Sequence, residues 1–119
     1  MARWVLLRHD LPDGTSHHDW LFEGPGMDRL VSFRTDAHPL DDETFDAARA
    51  FDHRRLYLDF EGRLDAPPGQ DRGVVSRVAG GTCVVASLDP VVITLDGDVA
   101  LEGHRAATGN WSFRRVALA

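Results

Sequence analysis

Residues 17–34 read HHDWLFEGPGMDRLVSFR, and this stretch decides the fold. Two short runs rich in aromatic and branched residues flank Gly24-Pro25-Gly26, a combination that cannot continue a helix or a strand. His17–Glu23 and Asp28–Arg34 therefore read as two strands of one antiparallel hairpin. Working outward, Arg3–Arg8 (RWVLLR) is another apolar strand, separated from the hairpin by the loop residues HDLPDGTS at 9–16. Downstream, RRLYLDF at 54–60 alternates and reads as a strand closed by Glu61-Gly62, followed by a loop rich in Pro and Gly at 65–73. Val74–Val78, Thr82–Ser87, Val91–Leu95, Val99–Glu102 and Trp111–Leu118 read as further strands, with turns at Gly80-Gly81 and Asp96-Gly97. Only DDETFDAARA at 41–50 carries a helical signal, an acidic start followed by an Ala-rich turn. Strands and turns of this kind argue for an all-β single domain over 1–119, a closed antiparallel barrel or a sandwich, and the expectation adopted is a small antiparallel β-barrel of about eight strands with one short helix.

Composition sets the limits of function. A chain of 119 residues suits one domain, and 43% hydrophobic residues suffice for a core. No apolar run approaches the ~20 residues of a membrane span, and Arg8, His9 and Asp10 interrupt the N-terminal apolar run, so the expectation is a cytoplasmic protein without a signal peptide and without membrane association. Cys83, the single cysteine, excludes an internal disulfide and a multi-cysteine zinc site, and its apolar neighbours make it a buried small hydrophobe. All 13 basic residues are arginine, which excludes Schiff-base chemistry and a P-loop lysine. A net charge of −6 argues against a general nucleic-acid coat and leaves room for a local basic pocket. Trp4, Trp20 and Trp111 read as core residues, and His38 and His104 as solvated loop residues.

On a strand, alternate side chains share a face, so His17, Asp19, Leu21 and Glu23 lie together, opposite His18, Trp20 and Phe22. An imidazole and a carboxylate two residues apart supply two lone-pair donors for a divalent metal, and His9 at the end of the first strand supplies a third. In a barrel these groups converge inside a cup of strands, leaving coordination positions open for water or substrate. The same pair also reads as a surface ion pair or a hydrogen-bonded core pair. On the 53–60 run, His53, Arg55, Tyr57 and Asp59 share a face, which suits oxyanion binding if it lines a cavity and is ordinary polar surface if it meets solvent.

Three stretches, Leu7-Arg8-His9-Asp10, His17-His18-Asp19-Trp20-Leu21-Phe22-Glu23 and Asp52-His53-Arg54-Arg55-Leu56-Tyr57-Leu58-Asp59-Phe60-Glu61-Gly62, followed by Arg72-Gly73-Val74, occur in that order. Together they resemble the 3′-phosphoesterase domain of bacterial DNA ligase D, especially its small stand-alone relatives. The resemblance implies a small β-barrel with a manganese ion (or zinc or another divalent transition metal) held at His9, His17 and Asp19. It implies a hydrolase that trims 3′ ends of DNA or RNA during non-homologous end joining, alongside a ligase or polymerase, with His53 on the scissile phosphate and Tyr57 shaping its pocket. The chain departs from the family at three positions: Leu21 stands where the family has arginine, Phe51 where it has an acidic residue, and Ala37 where it has lysine. Arg54, Arg55 and Arg72 are candidate replacements, Arg55 first because it shares the expected face of His53 and Tyr57. Glu23, on the metal face, is expected either to orient a metal ligand or to pair with an arginine. The departures leave a second reading, a catalytically weakened or inactive metal-bearing barrel that binds nucleic-acid ends or a repair protein.

Overall fold

The computed structural model describes residues 1–118. The chain forms β1 (Ala2–Asp10), β2 (Ser16–Glu23), β3 (Leu30–Thr35), β4 (Thr44–Arg49), a short 3-10 helix (Arg55–Leu58), β5 (Gly62–Arg63), β6 (Val74–Leu88), β7 (Val91–Leu95), β8 (Val99–Arg105) and β9 (Trp111–Val116). The strands follow the order β1-β2-β3-β4-β9-β8-β7-β6 and the ring closes where β6 returns to β1; the two-residue β5 adds to the edge of β6. Every pairing is antiparallel. Closure abolishes the free edges that an open sheet must protect. The expected eight-stranded antiparallel barrel is therefore present. Among the described residues no helix is long and apolar enough to cross a membrane.

Alternation puts Trp4 and Leu6 of β1, Trp20 and Phe22 of β2, and Phe33 of β3 into the barrel interior, where they meet Ile93, Leu95, Leu101, Trp111 and Phe113. The rings pack edge to face, as their quadrupoles favour: Trp20 and Phe113 have centroids 5.2 Å apart at 73°, Phe33 and Phe113 5.1 Å apart at 81°. This aromatic plug fills the barrel, so the bore is a core rather than a binding cavity. Cys83 belongs to the same plug, and burial pushes its thiol up to about 11.

A second, smaller apolar layer lies on the outside of the wall, where Val5, Leu7, Leu21 and Leu30 are covered by Leu58, with Tyr57 beside them. Both faces of β1 and β2 are consequently apolar over part of their length.

Three local expectations are corrected. The segment expected to be helical at 41–50 contains β4 instead: Phe45 pairs with Phe113 and Ala47 with Trp111 across β9. Inward packing at period two outweighs an Ala-rich signal too short to hold a helix in water. The strand expected over 54–60 is absent, and this stretch carries the 3-10 helix. The stretch meets the wall only at one bridge, His53 with Leu30, and at the two-residue β5 that follows it; between them the chain crosses the outer face and turns Leu58 down onto the apolar layer. The turn expected at Gly80-Gly81 does not exist either, because β6 runs unbroken for 15 residues. There the glycines admit neighbours: a Cβ at Gly81 would lie 2.0 Å from Asp96 Oδ1, which accepts the Trp4 indole N–H at 3.0 Å.

Candidate metal and phosphate site

His9 and His17 face each other across β1 and β2, and the next pair on the same face is Leu7 with Asp19. Register thus brings together donors that the sequence separates. His9, His17 and Asp19 each offer a ligand atom, and these atoms all lie within 4.8 Å of one another. His17 Nε2 is 3.2 Å from Asp19 Oδ1, and His9 Nδ1 is 3.9 Å from Asp19 Oδ2. The group sits on the outer face of the wall, in line with Val5, Leu7 and Leu21, not inside the barrel as expected. The reason is that Trp20 and Phe22 are far larger and take the interior face of β2.

Each side chain is prepared for coordination in its own way. Nε2 of His9 lies 2.7 Å from the carbonyl oxygen of Arg72. A carbonyl only accepts, so Nε2 carries the proton and Nδ1 presents its lone pair toward Asp19. That contact depends on Gly73, whose φ is +90° and at which a Cβ would lie 2.1 Å from the Asp10 carbonyl oxygen. Burial pushes the His17 imidazole below its usual pKa, against the opposing pull of Asp19, with Arg34 and His9 adding to the decrease. Asp19 is 5% exposed. Among the described residues, buried His17 Nε2 and Asp19 Oδ1 have no hydrogen-bond partner, although they stand 3.2 Å apart. Buried polar atoms left unpaired are costly, and two such atoms side by side suit a cation between them. Two donors bonded to one ion at ~2.1 Å lie at most ~4.2 Å apart, so closing this set requires only a small side-chain adjustment. Two imidazoles and one carboxylate form a donor set fitted to a divalent transition metal, with further positions open.

Beside this group opens a cleft of about 450 Å³, lined by His9, Asp19, His53, Tyr57 and the arginines Arg29, Arg34, Arg54 and Arg72 among others. His53 reaches it because its backbone exchanges hydrogen bonds of 2.8 and 3.0 Å with Leu30. Its Nδ1 donates to the Phe51 carbonyl at 2.8 Å, so the neutral ring presents a lone pair at Nε2, which has no hydrogen-bond partner among the described residues. Tyr57 packs edge-on to His53, with centroids 5.5 Å apart at 77°. His53 and Tyr57 thus join the donor cluster in one cleft, although they lie on a bridge and a 3-10 helix rather than on one strand face.

Arg55 does not join them. Its Nε and Nη2 donate to the carbonyls of Asp28 (3.0 Å) and Met27 (2.6 Å), and Nη1 pairs with Glu23 on a different part of the surface. The face that was expected to carry it disappears with the strand. Glu23 is accordingly an arginine partner, and it also accepts the backbone N–H of Arg3 at 2.8 Å. Leu21 is fully buried in the outer apolar layer. The Ala37 carbonyl accepts a hydrogen bond from His18.

Arg29 and Arg34 line the cleft without having been singled out from the sequence. Arg34 lies opposite Asp19 across β2 and β3, with Nε 4.0 Å from Asp19 Oδ1. Only the register of the hairpin reveals this, and Gly24-Pro25-Gly26 alone does not set it. The cleft therefore gathers guanidinium groups on a chain whose net charge is −6. No protein-family model matches the chain, and no curated protein matches it either.

Proposed function

We propose that the chain is a metal-dependent 3′-phosphoesterase-like protein that processes 3′ ends of DNA or RNA. The observation that carries this reading is the convergence of His9, His17 and Asp19 at the margin of an arginine-lined cleft that also holds His53 and Tyr57. Manganese is the cation proposed for the donor set. A divalent cation so held supplies polarisation of a phosphoryl oxygen. The chain's own groups supply the rest. The guanidinium groups of Arg34, Arg29 and Arg54 neutralise the phosphate and hold it in the cleft. His53, its Nδ1–H fixed by the Phe51 carbonyl, accepts a proton at Nε2 and can then return it, and Tyr57 limits how its ring can turn. The burial of Asp19 and His17 keeps water from competing for their donor atoms.

The test is release of phosphate from a 3′-phosphorylated primer by the purified protein with added MnCl₂. Release that is abolished by EDTA and by His17→Ala supports the reading. No release, together with a His17→Ala protein indistinguishable from wild type, overturns it.

One observation favours a second reading. Leu21 is committed to packing and Arg55 to the 23–28 loop, so two cationic contacts expected at the phosphate are missing. In that reading the barrel binds metal and nucleic-acid ends, or a repair protein, without turnover. Metal-dependent affinity for a 3′-phosphorylated strand that persists unchanged in mass would select it.

A further inference from the structure

Phe51 is 93% exposed, the one aromatic side chain among the large hydrophobics that stand in solvent. A phenylalanine left in water forgoes the ~2–3 kcal/mol that its burial would contribute, and nothing in the packing uses this ring. Its surroundings give it a use. Phe51 lines the 450 Å³ cleft and also a shallower adjoining hollow of about 370 Å³, formed with Arg34, Ala48, Arg49 and Ala50. Arg34 lines both. Most arginines elsewhere are occupied, as in Arg3 with Asp59 at 2.7 Å and Arg63 with Asp71 at 3.0 Å. By contrast, among the described residues the guanidinium groups of Arg29 and Arg54 have no hydrogen-bond or ion-pair partner, and that of Arg34 has only the 4.0 Å approach to Asp19.

The backbone under Phe51 is held in place. Ala50 N–H donates to Ser32 at 2.9 Å, the Phe51 carbonyl accepts from His53, and His53 is bridged to Leu30. The ring is thus an exposed apolar plate on a fixed support, bordered by unpaired guanidinium groups.

From this juxtaposition we propose that Phe51 and Arg34 form a nucleotide subsite, Phe51 stacking on an unpaired base and Arg34 binding a phosphate of the same strand. The ligand is a single-stranded 3′ end, because a base inside a duplex has no free face for the ring. The identity of the strand end rests on the 3′-end reading above; the binding does not depend on turnover.

The test is fluorescence anisotropy with a 5′-labelled, 12-nucleotide single strand bearing a 3′-phosphate, in MnCl₂, with the same mixtures followed on a gel for phosphate release. Stacking of this kind predicts that Phe51→Ala weakens binding about tenfold and that Phe51→Trp retains it. The loss on Phe51→Ala should vanish when the terminal nucleotides are abasic, which separates stacking from any general disturbance. Arg34→Ala should flatten the salt dependence of binding by roughly one phosphate contact, a slope change of about 0.7. The subsite is overturned if the wild type does not bind the strand, if Phe51→Ala binds within twofold of wild type, if its loss is the same on abasic strands, or if a blunt duplex binds equally well. Binding with these signatures but without phosphate release retains the subsite and sinks the catalytic reading; release with Phe51→Ala unaltered in affinity does the reverse.

Discussion

The imidazole of His9 donates its Nε2 proton to the backbone carbonyl of Arg72 at 2.7 Å, and this one hydrogen bond decides which nitrogen faces Asp19. The carbonyl can approach only because position 73 has no side chain. Gly73→Ala places a Cβ 2.1 Å from the Asp10 carbonyl oxygen in a backbone of φ +90°. The expected result is a loss of about 2 kcal/mol or more of stability, and in the protein that still folds a 10–100-fold loss of metal affinity. Denaturant titration and isothermal titration with MnCl₂ read the two separately. Unchanged metal affinity in the folded variant would show that the Arg72 carbonyl does not orient His9.

Asp19 holds a carboxylate oxygen buried without a hydrogen-bond partner. Asp19→Asn should therefore be at least as stable as wild type in EDTA, while losing the stabilisation that metal confers. For wild type at a metal concentration 100 times Kd this is about 2.7 kcal/mol, a rise in Tm on the order of 10 °C. Thermal unfolding with and without MnCl₂ checks both; an equal rise in Asp19→Asn would dismiss the carboxylate as a ligand.

Leu21 occupies the position at which the resembled family carries arginine, and simple restoration would predict a gain from Leu21→Arg. The structure predicts a loss. Leu21 is buried against Val5, Leu7, Leu30 and Leu58, so a guanidinium there is desolvated or displaces the 3-10 helix. The expected cost is about 2–5 kcal/mol with no improvement in binding a 3′-phosphorylated strand. A stable Leu21→Arg protein with tighter binding would contradict the packing role.

Cys83 is buried in the barrel plug and its thiol is pushed up to about 11 by burial, with Glu23 and Asp96 adding to it. Since folding raises the pKa above the ordinary value of 9.0, this contribution to stability is intact below pH 9 and is lost as pH climbs toward 11. Native protein at pH 8 should react with a thiol reagent far more slowly than the same protein in denaturant. Equal rates would place Cys83 outside the core.

How much of this was readable in the chain differs from element to element. The 17–23 stretch carried its own answer, because alternation at period two is local: His17, Asp19, Leu21 and Glu23 share a face whatever surrounds them. The hairpin with 28–34 was legible in the same way, whereas strands and turns argued for a barrel or a sandwich and only the pairing of β6 with β1 closes the ring. The 41–50 and 53–60 segments were not, since each is too short for its local preference to outweigh its setting. In one case β9 offered a partner, and in the other the apolar layer outside the wall drew Leu58 down and turned the chain into a 3-10 helix.

By itself, then, the amino-acid order determined which side chains lie side by side within a strand and that the chain would be almost entirely antiparallel β-structure. It could not determine which face of β1 and β2 turns inward, because Val5, Leu7 and Leu21 make the outer face as apolar, in part, as the inner one. The tertiary structure decided that by volume, assigning the interior to Trp4, Trp20 and Phe22. The donors His9, His17 and Asp19 were thereby left outside. Strand register, a property of paired backbones rather than of any one segment, then set Arg34 opposite Asp19, and the crossing segment brought His53, Tyr57 and Phe51 over the same cleft.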